Sequence, residues 1–369
     1  MAPNTKLWPI GPHTHGKHMV LRGYLDAWLP IMGMHPGKII FVDGFAGPGE
    51  YAGGEEGSPV IAIKALNEHP AKARIVADIV YFFVEGHTGR AAHLEEIVRG
   101  LRAALPANAQ VHVVLGKFDE TMTGVLDSIE GRGKALAPCF VMVDPFGVSD
   151  TPMSVLARIL KNPKSELYIS FMYEAINRFR DAPEFEPHLD ALFGTPRWRD
   201  GIDMPESDAR REFFYGLYTQ QLKAAGAKHV VWFELKDGNR HVYTIFFATQ
   251  HHVGCNRMKQ AIWKIAPLGE YEFRGSRSSQ MSLTQWFTAS TEPLRRELRA
   301  QFGGAGRVAV ETVNEWISGD GTTFHTSHLK STLRDMENAG DLVATASGLK
   351  PRRKGSFADG TIIEFAVLR

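Results

Sequence analysis

The sequence predicts an α/β fold: a doubly wound, mostly parallel sheet closed by an antiparallel hairpin, then a small helical unit with its own hairpin. Three observations carry this. Short apolar runs without polar alternation recur along the chain, as strands covered on both faces do. Several close on a carboxylate or a glycine, at Asp43, Glu85, Gly116 and Asp144. His229 to Leu235 and Val242 to Thr249 flank Asp237-Gly238, a hairpin pattern.

At 369 residues the chain can bury a large core and divide into two domains. Its 42 basic and 41 acidic residues nearly cancel, so any nucleic-acid surface must be local. Two cysteines, Cys139 and Cys255, make no disulfide framework and no zinc spacing. Cys139 opens an apolar run as a small buried hydrophobe. No apolar run is long enough to span a bilayer, so a soluble cytoplasmic protein without membrane partners is the expectation.

Residues 1 to 16 carry Pro and Gly and read as an arm. From Lys17 a helix follows, with Val20, Leu21, Tyr24, Leu25 and Trp28 on one face and Pro30 as its end. The first strand, Ile39 to Val42, closes on Asp43. Gly44, Phe45, Ala46, Gly47, Pro48 and Gly49 then form a turn whose glycines let a ligand approach the main chain. A turn with no ligand is the bland alternative. The loop runs on to Gly57, where Ser58 as N-cap and Pro59 start a helix.

The second strand, Ile79 to Val84, ends at Glu85, whose two oxygens suit a ribose diol. A helix over Ala91 to Leu105 leads to the third strand, Val111 to Leu115. Asp119 reads as the N-cap of a helix over Thr121 to Ile129. The fourth strand, Phe140 to Val143, ends in Asp144-Pro145-Phe146-Gly147, and the fifth spans Leu167 to Met172. Residues 180–227 read as an insertion that includes a helix behind Ser207, capped by Gly226.

The expected organisation is a domain over 1–266, a polar connector over 267–306 with Arg274 and Arg277, and a small domain over 307–369. Val310, Val313 and Ile317 make one helix face in that domain, and Leu329, Leu333 and Met336 another. Two strands then flank Lys350, Arg352, Arg353 and Lys354. This is a winged helix-turn-helix pattern, with Lys330 and Arg334 facing a groove and the basic tip meeting phosphates. Its charges balance, so a protein-binding winged helix is the alternative.

Asp43 to Gly49 resembles motif I of S-adenosylmethionine-dependent methyltransferases, in the Asp-x-Phe-Ala-Gly-x-Gly form common among those acting on nucleic acids. The resemblance implies a Rossmann-like methyltransferase sheet. It implies that Lys17, Asp43, Gly44, Phe45, Gly47 and Gly49 serve the methionine end of S-adenosylmethionine, Glu85 the ribose, and Phe118 and Asp119 the adenine. Asp144, Pro145 and Phe146 resemble the Asp/Asn-Pro-Pro-Tyr/Phe motif of enzymes methylating exocyclic base amines, with Phe146 in place of the second proline and Gly147 in place of the aromatic.

Across its length the chain resembles the three-Cys-motif partner proteins of bacteria and phages. The matching residues are Lys17-His18, Tyr24 to Trp28, Val42 to Gly49, Gly57 to Pro59, Asp144 to Gly147, Thr323-Phe324 and His328 to Lys330. That implies a radical-S-adenosylmethionine-like partner with a three-cysteine motif. The expected function is methyl transfer to DNA or RNA. A non-catalytic binding partner keeping the fold is the alternative, and a metal-dependent nuclease on Asp43, Asp144 and Glu174 ranks behind both.

Overall fold

The computed structural model describes residues 5–205, 208–237, 240–265, 291–346 and 352–366. It falls into two compact units, Met1–Gln250 and His251–Arg369.

The first unit is built on seven strands: β1 (Lys38–Asp43), β2 (Asp78–Glu85), β3 (Ala109–Leu115), β4 (Cys139–Val143), β5 (Ser165–Phe171), β6 (His229–Asp237) and β7 (Arg240–Thr249). Their order is β3-β2-β1-β4-β5-β7-β6. The first five run parallel, and β7 runs antiparallel to both β5 and β6. This is the Rossmann-like sheet of methyltransferase type. β4 and β5 are buried at every residue, which is why their sequences lack polar alternation. Fully buried aromatics tie the strands together, with Phe41 and Phe140 stacked at 5.7 Å.

Among the described residues of this unit are eight α-helices: α1 (Pro12–Gly33), α2 (Ser58–Asn67), α3 (Thr88–Leu101), α4 (Phe118–Glu130), α5 (Met153–Leu160), α6 (Tyr173–Phe179), α7 (Glu186–Phe193) and α8 (Asp208–Ala224). Several boundaries differ from expectation. α1 starts at Pro12, inside the expected arm, and runs through Pro30. Pro30 lacks the N–H that would bond the carbonyl of Asp26. That carbonyl instead meets the His69 ring nitrogen Nε2 at 2.9 Å, so the helix continues. Ser58 is the first helical residue of α2, and Gly57 is its N-cap. α4 opens on Lys117 without a side-chain cap, which places Asp119 inside the first turn and not at the cap. α3 is capped by His87, whose ring nitrogen Nδ1 accepts from the amides of Gly89 and Arg90.

The second unit contains α9 (His252–Ile265), which the sequence assigns to the first domain, then α10 (Glu292–Phe302), β8 (Arg307–Ala309), α11 (Val310–Ser318), α12 (Thr326–Ala339), β9 (Leu342–Thr345) and β10 (Ile362–Phe365). The strands form a small antiparallel sheet in the order β8-β10-β9. Buried Lys259 on α9 donates to the carbonyls of Ile317 at 2.5 Å, Gly319 at 2.7 Å and Thr322 at 3.2 Å, closing the end of α11. Burial pulls its ammonium down to about 8. Gly238, residues 266–290 with Arg274 and Arg277, and Lys350 lie outside the described residues. No described helix is long and apolar enough to cross a membrane.

Candidate active site

In an open α/β sheet, ligands sit beyond the carboxyl ends of the parallel strands, where the strand order reverses. Here the reversal lies between β1 and β4, and those strands end at Asp43 and at Val143, just before Asp144. The two aspartates therefore flank the switch point.

The turn after β1 is held mostly by its own surroundings. Gly47 and Gly49 take φ of 63° and 88°, a region that favours glycine. The amide of Gly44 donates to Met142 O and that of Ala46 to Val84 O, both at 2.9 Å. The Phe45 amide donates to Asp43 Oδ1 at 3.1 Å, and the Gly47 amide to Glu85 Oε2 at 2.9 Å. The other Glu85 oxygen accepts from the His87 amide at 2.8 Å. Glu85 thus fastens the turn to the end of β2. A Cβ on Gly44 would lie 2.3 Å from the Phe118 ring, so that close approach requires glycine.

Asp43 is fully buried. Burial pushes its carboxyl up to about 7, against the nearby Ser58 hydroxyl and the Phe45 amide. Its second oxygen, Oδ2, has no hydrogen-bond partner. Asp144 has a different environment. Its carboxylate forms an ion pair with Lys17, whose side chain is 3% exposed against 24% for Asp144. Burial alone would raise Asp144, but the Lys17 ammonium outweighs it and holds the carboxyl below its ordinary value. Next to Lys17, burial and then the Lys17 charge push His18 down to about 3, so its ring is neutral. His18 Nδ1 also has no partner.

Two cavities adjoin Lys17, His18 and Asp144, while Asp43 lies behind the glycine turn and lines neither. One, of about 400 Å³, is lined by Lys17, His18, Gly47, Gly49, Tyr51 and Asp144. The other, of about 1090 Å³, is lined by Glu85, His87, Lys117, Phe118, Glu174 and Arg178, among others. Phe45, Pro145, Phe146 and Met172 line both, so the two form one cleft along the strand ends. Phe146 is 39% exposed. Phe118 is buried against Gly44 and Phe45, while Asp119 lies outside the lining of either cavity with its Oδ1 unpartnered.

Sequence reasoning missed the roof of the smaller cavity. Trp8 meets Tyr51 and Phe146 edge-on, each at 5.9 Å. Arg90, 3% exposed, lies 4.9 Å from the centre of the Trp8 ring and donates to Thr5 O at 3.3 Å. The available signal was a tryptophan in an arm without helical spacing. Among the described residues, no three His, Cys, Asp or Glu side chains are grouped to hold a metal, so Asp43, Asp144 and Glu174 do not form such a cluster.

In the second unit, Lys330, Arg334, Arg353 and Lys354 are exposed. Arg352 is not free in the same way. It pairs with Glu337, donates to Ser356 O at 2.6 Å and lies over the Phe357 ring.

No family model matches the chain, and no curated protein matches it. Solved structures do. Trm1 from Pyrococcus horikoshii, in complex with S-adenosyl-L-methionine, aligns at 11% identity over 72% of this chain and 74% of its own, with a TM-score of 0.39. Precorrin-6y C5,15-methyltransferase from Geobacter metallireducens aligns at 9% identity over 60% of this chain and 86% of its own, with a TM-score of 0.28. At such scores the fold assignment rests on the strand order of this chain itself.

Proposed function

We propose that the protein is a methyltransferase using S-adenosylmethionine, with nucleic acid as its acceptor. The observation that carries this reading is the orphaned oxygen of Asp43 beneath a left-handed glycine turn, at the switch point of a methyltransferase-type sheet. An unpartnered buried carboxylate oxygen fits an ammonium once the turn in front of it admits one, and the unpartnered His18 Nδ1, on a residue lining the smaller cavity, offers a second polar contact. Asp43, His18 and the Gly47–Gly49 backbone would hold the amino-acid end. Glu85 and His87 line the cavity where the nucleoside would lie. The bound cofactor supplies a methyl group already activated on a sulfonium. What remains for the chain is alignment and exclusion of water. Lys17 keeps Asp144 ionised and fixed, Trp8 covers the turn, and Asp144 accepts a hydrogen bond from the acceptor's amine.

The order α10, β8, α11, α12, β9, β10 supports reading the second unit as a winged helix. Lys330 and Arg334 on α12, with Arg353 and Lys354, would then meet nucleic-acid phosphates. A radical-S-adenosylmethionine-like protein with a three-cysteine motif is the proposed partner. A second reading, a non-catalytic binder, draws on the same ion pair, because Lys17 already occupies Asp144.

Calorimetric titration with S-adenosylmethionine and S-adenosylhomocysteine tests the proposal. Micromolar binding that Asp43→Ala and Glu85→Ala both abolish is the expected result. A folded wild-type protein that binds neither compound overturns it.

A further inference from the structure

The larger cavity has more room than a single cofactor end needs. Ligand sites run to about 1,000 Å³ for a whole drug-sized molecule, and here about 1090 Å³ lies outside the cavity that takes the amino-acid end. Part of its wall comes from α6, α7 and the turn between them, of which the turn and α7 fall in the stretch the sequence marked only as an insertion. Phe179 and Phe185 stack there in parallel, 4.1 Å apart and 5° from coplanar, and both are half-buried. The Arg178 guanidinium, exposed, lies 5.9 Å from the centre of the Phe179 ring. Phe146 lines the same cavity and is the only aromatic among the large exposed apolar side chains of the described residues.

Flat aromatic faces with a guanidinium beside them take nucleobases and their phosphates, because every base offers a π-face and stacking tolerates sequence. Asp150 and Glu174 in the same lining could also accept from a peptide backbone, so it is the parallel ring faces and the guanidinium that favour a base. We propose that Phe146, Phe179 and Phe185 form the acceptor subsite, receiving one nucleobase turned out of a single strand, with Arg178 meeting a neighbouring phosphate. This rests on the methyltransferase reading. It adds that α6 and the turn after it select the acceptor, while the ends of β1 and β2 serve the cofactor. Pro145 and Phe146, shared by both cavities, put a base on Phe146 next to Asp144.

Photo-crosslinking of the full chain to mixed-sequence single-stranded DNA and RNA carrying 5-iodouracil tests the subsite, in the presence of S-adenosylhomocysteine. Crosslinks mapped by mass spectrometry to peptides holding Phe146, Phe179 or Phe185 are expected. Phe179→Ala should reduce them about tenfold, one lost stacking partner. Arg178→Glu, a surface change that leaves the aromatic stack in place, should weaken them and flatten their salt dependence. Crosslinks confined to residues 307–366, or unchanged in both variants, overturn the proposal. So does capture of a mixed peptide pool at the cleft with no oligonucleotide captured. Calorimetry with S-adenosylhomocysteine on the same samples separates the two levels. Retained cofactor binding without cleft crosslinks removes the acceptor subsite alone, and absent cofactor binding removes the methyltransferase reading with it.

Discussion

Asp43 and Asp144 stand at the ends of adjacent strands, and the molecule treats them oppositely. Asp43 is sealed without a counter-ion, and burial drives it toward the neutral acid near physiological pH. Asp144 is given a buried lysine and held as the carboxylate. A sealed, unpartnered oxygen is a free-energy debt that a cationic ligand can relieve, whereas a paired carboxylate is already stable and is suited to orienting a neighbour. Under the proposed function, the difference would separate a binding role for Asp43 from a positioning role for Asp144.

The strongest way to break this contrast is Asp43→Asn measured across pH. The folded carboxyl titrates near 7 and the unfolded one at its ordinary value, so the unfolded chain releases its proton first as pH rises. Stability from this group is whole at low pH and is lost between about pH 4 and pH 7. The asparagine does not ionise. The variant should therefore match wild type near pH 4 and exceed it by up to about 4 kcal/mol near pH 8. Urea denaturation at both pH values checks this, and a constant difference would refute the buried acid. Cofactor affinity should fall in the same variant.

Lys17→Met attacks the other side. It leaves Asp144 a partly buried charge without its partner, and should cost about 3 kcal/mol at neutral pH, the low end for a broken buried pair. Asp144 is depressed in the native protein, so its contribution is present above the unfolded value and lost as pH falls through the folded one. The penalty should thus shrink on acidification, opposite in sense to Asp43→Asn. A penalty that grew instead would mean that Lys17 is not the group holding Asp144 down.

Glu85→Gln sharpens the comparison by loosening the turn that both aspartates adjoin. One of the two backbone amides that Glu85 accepts from would face an amide NH₂, a loss of about 2 kcal/mol. Hydrogen exchange at Gly47 and His87 should quicken together. Protection unchanged at both would show that the turn is held without Glu85. The smallest effect is expected from Ser58→Ala, below about 1 kcal/mol. The Ser58 hydroxyl opposes the rise of Asp43, so the pH at which Asp43→Asn begins to outperform its background should stay, while the plateau moves to higher pH.

The strands were legible because a buried parallel strand is written locally, as a run of apolar residues closing on a polar one. In the first unit, expected and observed strand ends differ by at most two residues. The turn at Asp43 to Gly49 was legible for a similar reason, since only glycine takes its left-handed positions cheaply. What escaped depended on distant partners. The carbonyl that lets α1 run through Pro30 is satisfied by His69, 43 residues away along the chain. Lys17 and Asp144, assigned separate roles from sequence, are one unit across 127 residues. Arg352 reads as one more cation of a basic tip until Glu337 is seen beside it. The Asp119 cap failed because Lys117 already had the extended backbone that opens α4.

The long loop between the glycine turn and α2 returns to where it left. The Gly57 amide donates to Gly49 O at 2.8 Å, Glu50 pairs with Glu56 in an antiparallel bridge, and a Cβ on Gly57 would lie 2.8 Å from the Gly49 backbone. Residues 50 to 56 are therefore a detour with a closed base. Because closing a loop grows only logarithmically harder with its length, the detour can be lengthened or replaced without moving the helix behind it. Gly49 and Gly57 act as a clasp, and the chain between them is a cassette that can be exchanged at the rim of the cleft while the floor stays put.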